Sequence, residues 1–288
     1  MENNYCIIYN PISGNKSGES CAKALQERLS ANECIDMTAI ENYADFFASH
    51  EDASIIICGG DGTLNRFLND ISDVDIKSSI YFYPCGSGND FFRDIKADKN
   101  DIVCIDKYIK NLPVCTIGDK EFKFINGIGY GIDGYCCEVG DKLRLESDKS
   151  IDYTAIAIKG LLFYYKPTAA KVTVDGVVHE FKKVWIAPTM LGRYYGGGMM
   201  PTPKQDRLNE DGNLSVMIFH DTTSIQTLMI FPSIFKGEHI KKDKKVTVLS
   251  GKEITVEFSS PRPLQIDGET IPNVKSYTAR SSKVLAKV

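Results

Sequence analysis

The sequence predicts two domains: an α/β domain with a parallel sheet over residues 1–110, and an antiparallel, β-sandwich-like, mainly-β domain over residues 111–288. A chain of 288 residues exceeds the usual length of a single domain. Before residue 111, short apolar runs alternate with longer amphipathic stretches, which is typical of parallel strands joined by helices. After it, short runs come in pairs and partly alternate, which is typical of antiparallel strands.

The apolar runs give the elements of the first domain in order. A polar, helix-like stretch from Ser17 to Ser30 follows the first run. Further helices are expected after the two later glycine-rich turns. The expected strands are YCIIY, CIDMTAI, SIIIC and IYFYP.

The second domain is predicted to contain hairpins and two helices. Asp175 and Gly176 form a two-residue hairpin turn within KVTVDGVVHEFKKVWIAP. Apolar residues at helical spacing predict helices at Asp152–Tyr165 and Ser224–Phe235, which we expect to pack on the core rather than against a membrane. The remaining expected strands are NLSVMIF, KVTVLSG, KEITVEFS and KVLAKV, the last being a candidate to return to the first domain.

Composition and charge limit the class of protein. With 43% apolar and 25% charged residues the chain is expected to be globular, and its formal net charge of −4 gives no global attraction for nucleic acid. No apolar run reaches the roughly 18 residues that a membrane span needs. The start MENNYCIIYN lacks the features of a signal peptide. We therefore expect a cytoplasmic protein without a transmembrane segment or a nucleic-acid partner.

The nine cysteines form no CxxC pair and no zinc-type spacing. Cys6, Cys58, Cys85 and Cys115 lie in or beside apolar runs, where a free thiol behaves as a small hydrophobic side chain. The sequence therefore predicts reduced core cysteines, and a redox or metal site is disfavoured because no second sulfur lies at ligand spacing.

The strongest local pattern is SIIICGGDGTLNRFLNDI, a buried strand that ends in a glycine-rich turn before an amphipathic helix. Gly59, Gly60 and Gly62 allow close backbone approach, and a helix N-terminus offers N–H groups to phosphate. GxxxxGK[ST] is absent, so this is not a Walker-type loop. Asp61 would repel phosphate unless a cation lies between them, which favours a magnesium nucleotide as the ligand.

Two further turns of this kind follow other strands. YPCGSGNDFFRDI contains Gly86 and Gly88, and IYNPISGNKSG contains Asn10 and Gly18. Each alone could be a plain tight connection. Three of them at the ends of three parallel strands would meet on one edge of the sheet, where α/β folds bind ligands.

These motifs resemble the diacylglycerol kinase catalytic-domain family, which includes soluble bacterial lipid kinases and is related to sphingosine and ceramide kinases. The resemblance covers nearly the whole chain. GGDGT alone is shared with NAD kinases, but the ordered set is specific to the family. In order, the matching motifs are NPISG, GGDGTLN, GSGNDF, GYGIDG, YYGGGMMPTPKQDRLNEDGNLSV and PLQIDGET.

The resemblance implies roles for particular residues. Asp61 would organise a catalytic Mg²⁺, and Glu269 would be the general base that takes the proton from an acceptor hydroxyl. A structural Mg²⁺ would lie at Leu208, Asp211 and Asn213. Read without the resemblance, the latter loop is a solvated acidic turn. The residues implied to bind ATP are Asn10, Thr38, Gly59, Gly60, Asp61, Gly62, Thr63, Leu64, Asn65 and Ser87.

The resemblance implies an ATP-dependent lipid kinase of phospholipid biosynthesis, with diacylglycerol as the leading acceptor and phosphatidic acid as the product. Its insoluble acceptor would lie in a cleft between the domains, at the inner face of the membrane. Lys182, Lys183, Lys204 and the run at 241–245 could attract anionic lipid. A homodimer is also compatible with the family. The alternatives are an NAD kinase-like small-molecule kinase and a catalytically silent lipid-binding regulator.

Overall fold

The computed structural model describes residues 4–11, 13, 17–86, 88–146 and 151–282. The chain divides into two compact units, Met1–Lys110 and Asn111–Val288. Each unit contains its own β-sheet. The units are described separately below.

The first unit is a five-stranded sheet in the order β2-β1-β3-β4-β5. Strands β1 to β4 are parallel, as predicted, whereas the short β5 runs antiparallel to β4. The sheet is therefore mixed at one edge. Its elements are β1 (Tyr5–Tyr9), α1 (Gly18–Leu29), β2 (Glu33–Asp36), α2 (Tyr43–Ser49), β3 (Ser54–Gly59), α3 (Asp61–Asp70), β4 (Ile80–Pro84), α4 (Asp90–Ile95), β5 (Val103–Cys104) and α5 (Asp106–Ile109).

Burial explains why these segments become central strands and covering helices. Ile55, Ile56 and Ile57 of β3 are fully buried, because helices cover both faces of a parallel sheet. The predicted strand CIDMTAI is shorter than expected. The Asp36 carboxylate accepts the Thr38 backbone N–H at 2.8 Å, and the chain turns into a 3₁₀ helix at Met37–Ala39.

The second unit is built on antiparallel strands, as predicted. Strand β14 pairs with β15 along most of its length, with β9 through its first half and with β8 over its last three residues. The strands are β6 (Val114–Ile117), β7 (Lys120–Lys123), β8 (Gly127–Tyr130), β9 (Thr168–Val174), β10 (Val177–Val184), β11 (Thr189–Met190), β12 (Leu214–Phe219), β13 (Val246–Gly251), β14 (Glu253–Ile266) and β15 (Glu269–Arg280).

Helix α6 (Ile132–Glu146), which the sequence did not predict, follows β8. The two predicted helices are present as α7 (Tyr153–Lys159) and α8 (Ser224–Ile230), and both continue irregularly. A π-helical segment at Gly160–Tyr164 extends α7, and a 3₁₀ helix at Phe231–Lys236 follows α8. Pro232 cannot donate a backbone N–H, which accounts for the end of α8. The predicted strand KVLAKV lies outside the described residues.

The prediction of a reduced core thiol was wrong for Cys85, whereas Cys6, Cys58 and Cys115 are free and buried. Cys21 on α1 forms a disulfide with Cys85, which follows β4. The Cys58 Sγ at the end of β3 lies 3.0 Å from the Cys85 Sγ. Sequence spacing could not reveal this cluster, because the three sulfurs meet only when β3 and β4 pair and α1 covers them.

Candidate active site

Three turns follow neighbouring parallel strands in the first unit, as the sequence predicts. Asn10 follows β1, Gly60 follows β3, and Gly86 lies two residues beyond the end of β4. Because β1, β3 and β4 are adjacent and parallel, their carboxyl ends lie on one edge of the sheet. Asn10 is buried there, and its carbonyl oxygen accepts the Ser13 N–H at 3.1 Å.

Glycine is required where the second and third turns meet. A Cβ atom on Gly86 would lie 2.7 Å from the Gly60 Cα, which is closer than real Cβ contacts come. The Cys85 N–H also donates to the Gly59 carbonyl oxygen at 2.7 Å. The two turns are therefore in direct backbone contact, and they leave no room for side chains between them.

Asp61 joins these turns through its carboxylate. It is the first residue of α3, and its two oxygens accept the backbone N–H groups of Asp90 and Phe91 at 3.0 Å each. Asp61 thus caps the N-terminus of α4 in addition to starting its own helix. This capping role cannot be inferred from the sequence alone.

The Asp61 carboxylate also fits the chemistry of a magnesium ligand. Mg²⁺ binds through one or two carboxylates together with substrate phosphates. The backbone bonds from Asp90 and Phe91 hold the two Asp61 oxygens in place at the start of α3. When bound, Mg²⁺ would neutralise phosphate charge beside the glycine turns.

The other residues expected to bind ATP differ in accessibility. Gly60, Asp61 and Gly62 are partly exposed at the start of α3, whereas Thr63, Leu64 and Asn65 are buried. Leu64 is fully buried, so its side chain belongs to the core. Thr38 lies in the 3₁₀ helix beyond β2, with its hydroxyl donating to Asp36 at 2.8 Å. Ser87 lies outside the described residues.

In the second unit, Glu269 is exposed and opens β15 immediately after a tight turn. The turn residues Asp267 and Gly268 have φ angles of 46° and 102°. The buried Asp267 carboxylate accepts three backbone N–H groups, from Ile125 at 2.6 Å and from Asn126 and Gly127 at 2.9 Å each. These bonds anchor the turn that precedes Glu269 to residues 125–127, which lead into β8.

A buried polar chain continues from this turn. The Gln265 side-chain oxygen accepts the Gly268 N–H at 2.7 Å, and its amide nitrogen donates to Asp133 at 3.0 Å. Burial raises the pKa of Asp133 to about 6. Burial and the neighbouring Asp133 raise the pKa of Tyr195 well above its ordinary value. A buried carboxyl with a raised pKa is typical of functional sites.

These residues lie within the sequence motifs, although the motifs alone assign them no role. Asp133 lies in GYGIDG, and Gln265 and Asp267 lie in PLQIDGET. Arg207 lies in the motif YYGGGMMPTPKQDRLNEDGNLSV. It donates to the Asn126 side chain at 3.1 Å and to the Ile125 carbonyl oxygen at 3.0 Å. The motifs contain these residues, but only the fold reveals which side chains meet.

The loop expected to hold a structural Mg²⁺ contains Leu208, Asp211 and Asn213. Leu208 and Asp211 are exposed. The Asn213 carbonyl oxygen accepts amide N–H groups from Gln205 at 2.8 Å and Asn209 at 3.0 Å. A cation at that oxygen would have to displace an amide donor. The Asp211 carboxylate thus remains the principal candidate ligand of this loop.

Two family models match the chain in sequence. The diacylglycerol kinase catalytic domain matches residues 4–114, and the YegS C-terminal NAD kinase beta sandwich-like domain matches residues 126–285. The second match alone covers more than half of the chain. Together they extend over most of both units.

Curated relatives and solved structures agree with these matches. YtlR of Bacillus subtilis, provisionally named a lipid kinase, is 25% identical over 97% of both chains. A diacylglycerol kinase of Mycobacterium tuberculosis strain H37Rv is 26% identical over 90% of both chains. A structure from Bacillus anthracis str. Sterne, described as a diacylglycerol kinase, superposes with a TM-score of 0.57 at 19% identity, covering 98% of this chain and 95% of that one. At that identity the structure supports the fold alone.

The order of the motifs, the glycine edge of the first unit and the antiparallel second unit all agree with these matches. The chain belongs to the diacylglycerol kinase catalytic-domain family, with a YegS-type C-terminal domain.

Proposed function

We propose that this protein is an ATP-dependent lipid kinase that transfers the γ-phosphoryl group of ATP to the hydroxyl of a membrane lipid, with diacylglycerol as the leading acceptor. One observation carries the kinase assignment. The glycine turns after β3 and β4 are in backbone contact and are joined by Asp61. Such an edge offers phosphate a backbone approach free of side chains and a carboxylate for its cation.

In this proposal the two units have different tasks. The first binds the polyphosphate through its glycine turns, with Asp61 as the residue that holds Mg²⁺. The second contributes Glu269, whose carboxylate takes the proton of the acceptor hydroxyl as the phosphoryl group is transferred. Glu269 is suited to this role because it is exposed on a turn that Asp267 holds in place.

A lipid acceptor is supported by an apolar surface on the second unit. The segments Tyr153–Tyr164 and Ser224–Lys236 pack against each other and on one buried cluster. These helices pack on the core, as expected, and leave one face of each exposed. Eight of their large apolar side chains are between 38% and 77% exposed, namely Tyr153, Ile158, Leu162, Phe163, Tyr164, Ile225, Met229 and Phe235.

The charge of these segments favours an anionic bilayer as the partner of this surface. Lys159, Lys166 and Lys236 are exposed in or beside them. Neither residues 153–166 nor residues 224–237 contain an acidic side chain. An amphipathic surface of this kind inserts its apolar side chains at the headgroup boundary while its lysines meet anionic lipid. Among the residues described, no helix combines the length and apolar character needed to cross a bilayer.

The test of the activity is incubation with labelled ATP, Mg²⁺ and a panel of lipids in mixed micelles, including diacylglycerol, ceramide and polyprenol. The expected product is a phosphorylated lipid. Labelling of NAD and of no lipid would favour the NAD kinase-like alternative. Lipid binding without turnover of any acceptor would favour the silent regulator.

The membrane contact can be tested separately by sedimentation with vesicles. We expect Phe163→Ser combined with Met229→Ser to reduce binding to anionic vesicles and to leave ATP affinity unchanged. The matched control is Val177→Ser with Val178→Ser. It removes two apolar side chains that are 59% and 54% exposed on the β9–β10 hairpin. Replacing Lys241, Lys242, Lys244 and Lys245 by glutamine tests the basic run in the same assay. Equal binding by the Phe163 and Met229 variant and its control would exclude the apolar surface.

A further inference from the structure

Three cysteine sulfurs meet directly behind the glycine turns of the first unit. The Sγ atoms of Cys21, Cys58 and Cys85 all lie within 4.8 Å of one another. Cys21 and Cys85 are bonded, and the Cys58 thiol lies 3.0 Å from the Cys85 Sγ. A third sulfur in contact with a disulfide allows the bond to change partners.

Each of the three cysteines is connected to a different candidate phosphate turn. Cys58 directly precedes Gly59, and Cys85 directly precedes Gly86. Cys21 is connected to the first turn by successive backbone bonds, in which Ser13 donates to Asn10 at 3.1 Å, Ser17 to Ser13 at 3.1 Å and Cys21 to Ser17 at 3.0 Å. The sulfur cluster therefore ties together the three chain segments that would surround the nucleotide phosphates.

The cysteines differ in exposure in a way that favours the Cys21–Cys85 bond over a bond to Cys58. Cys21 and Cys85 are partly exposed, whereas Cys58 is fully buried. Burial raises the pKa of the Cys58 thiol to about 12. At neutral pH Cys58 is therefore a protonated, slowly reacting thiol, and the accessible pair Cys21 and Cys85 reacts first with a solvent oxidant or reductant.

We propose that Cys21, Cys58 and Cys85 form a redox-modifiable sulfur site whose Cys21–Cys85 bond sets the nucleotide affinity of the first unit. A hydroperoxide oxidises the two thiols: the S–S bond forms, the O–O bond breaks, and the two thiol protons end on the resulting alcohol and water. A thiol reductant reverses the bond by exchange. When Cys58 attacks the Cys85 Sγ, the Cys58–Cys85 bond replaces the first one, and Cys21 leaves and takes up the proton.

The direction of the effect follows from the segments that the bond restrains. The Cys21–Cys85 bond holds the start of α1 against the third turn, so less conformational freedom is lost when phosphate orders the turns. The oxidised protein should bind nucleotide more tightly. We expect reduction to raise the Kd for ATP about five-fold or more, within the usual range of coupling between sites. This effect on affinity rests on the proposed function.

The test is to equilibrate the full chain at defined ratios of reduced to oxidised glutathione, alkylate it, and map the linked cysteines by mass spectrometry. The Kd for ATP and the thermal midpoint are measured on the same samples. We expect a Cys21–Cys85 link in the oxidised protein, with a higher midpoint and a lower Kd than in the reduced protein. Alkylation of all three cysteines at every ratio would overturn the proposal.

Single-cysteine variants distinguish the contributions of the three cysteines to the disulfide link and to the Kd for ATP. Cys58→Ala should keep the Cys21–Cys85 link and its effect on Kd, whereas Cys21→Ala should form Cys58–Cys85 and lose that effect. Cys104→Ala, which removes an exposed cysteine outside the cluster, is the control and should behave as wild type. A Cys21–Cys85 link that leaves the Kd for ATP unchanged would refute the control of nucleotide affinity. Stoichiometric zinc that is lost in Cys58→Ala would instead identify a metal site.

The outcome for nucleotide binding distinguishes this proposal from the proposed function. A protein that binds no ATP in either redox state contradicts the kinase assignment. In that case the linkage map and the thermal midpoint still decide whether the sulfur site exists. A protein that binds ATP equally in both states keeps the kinase assignment and refutes the redox control.

Discussion

Two hairpin turns of the second unit share the same residues and nearly the same backbone. Asp175 and Gly176 join β9 to β10 with φ angles of 46° and 82°, and Asp267 and Gly268 join β14 to β15 with 46° and 102°. In both, Asp and Gly accept the left-handed conformation that a two-residue hairpin turn requires. The local sequence is therefore sufficient to explain the path of the chain at each turn.

The two turns differ in what their aspartates hold. Asp175 is exposed, and one of its oxygens accepts the N–H groups of Lys252 and Glu253. Asp267 is buried and accepts three N–H groups from residues 125–127. The first turn is anchored at the surface, whereas the second is anchored in the interior. The same Asp-Gly sequence is thus anchored in the interior only at Asp267–Gly268, where it supports the exposed carboxylate of Glu269.

The largest difference between the turns should appear in catalysis. Glu269 follows the Asp267–Gly268 turn, whereas Val177 follows the Asp175–Gly176 turn. We expect Glu269→Gln to lower phosphoryl transfer about a hundredfold to ten-thousandfold, because the amide keeps the shape but cannot accept the hydroxyl proton. ATP affinity should stay nearly unchanged. Steady-state turnover and equilibrium ATP binding check both statements.

The matched control is Glu180→Gln, which removes an exposed glutamate from β10 on the other hairpin. It should turn over at the wild-type rate. Near-normal turnover by Glu269→Gln would remove the catalytic distinction between the two turns.

The next difference should appear in stability. Asp267→Ala leaves three buried N–H groups without their charged acceptor, so we expect it to lower the free energy of unfolding by more than about 3 kcal/mol. Asp175→Ala exposes its two N–H groups to water and should cost about 1 kcal/mol. Urea denaturation of both variants measures the difference. Similar losses would mean that burial does not distinguish the two anchors.

These turns also mark the limit of prediction from sequence. Asp175 and Gly176 were predicted as a hairpin turn from the dipeptide between alternating runs, and the structure confirms it. Asp267 lies in a similar pattern, but its three acceptor bonds join residues about 140 positions apart in the chain. Local propensity carries no information about such partners, because they are brought together only by the pairing of β14 with β8.

The same reasoning applies to the first unit. The strands and the glycine turns follow from periodicity and local backbone chemistry, and four of the five strands lie where the sequence predicts them. The second role of Asp61, as the cap of α4, and the Cys21–Cys85 bond depend on which strands are neighbours. Sequence spacing alone gave the wrong state for Cys85 because its partner lies 64 residues away.

A third difference concerns pH, because only the second turn is connected to a buried carboxyl. Gln265 links Gly268 to Asp133, whose pKa burial raises from 3.8 to about 6. The folded protein therefore holds this proton over a range in which the unfolded chain has lost it. Stability should fall as pH rises from about 4 to about 6, by up to about 3 kcal/mol, and then level off.

The variant Asp133→Asn tests this prediction, since the amide oxygen can still accept from Gln265 but carries no charge. It should lack the fall between pH 4 and pH 6 and should be more stable than wild type at pH 8. Denaturation midpoints across this pH range provide the measurement. A wild-type pH profile in the variant would show that another group is responsible.

The smallest expected difference between the two turns is at their glycines, where substitution should have the same effect on stability in both. A Cβ atom on Gly176 or on Gly268 would meet no atom within 4 Å, so neither turn opposes a methyl group by contact. Both residues have positive φ, and alanine in that region costs roughly 1–2 kcal/mol whatever surrounds it. Gly176→Ala and Gly268→Ala should therefore lower the unfolding free energy by the same amount.

Equal losses, beside the unequal losses of the two aspartate variants, would show that the turns share their backbone energetics and differ through the Asp side chains. A clearly larger loss at Gly268 would mean that its N–H bond to Gln265 depends on the glycine backbone, and that the turn itself is specialised.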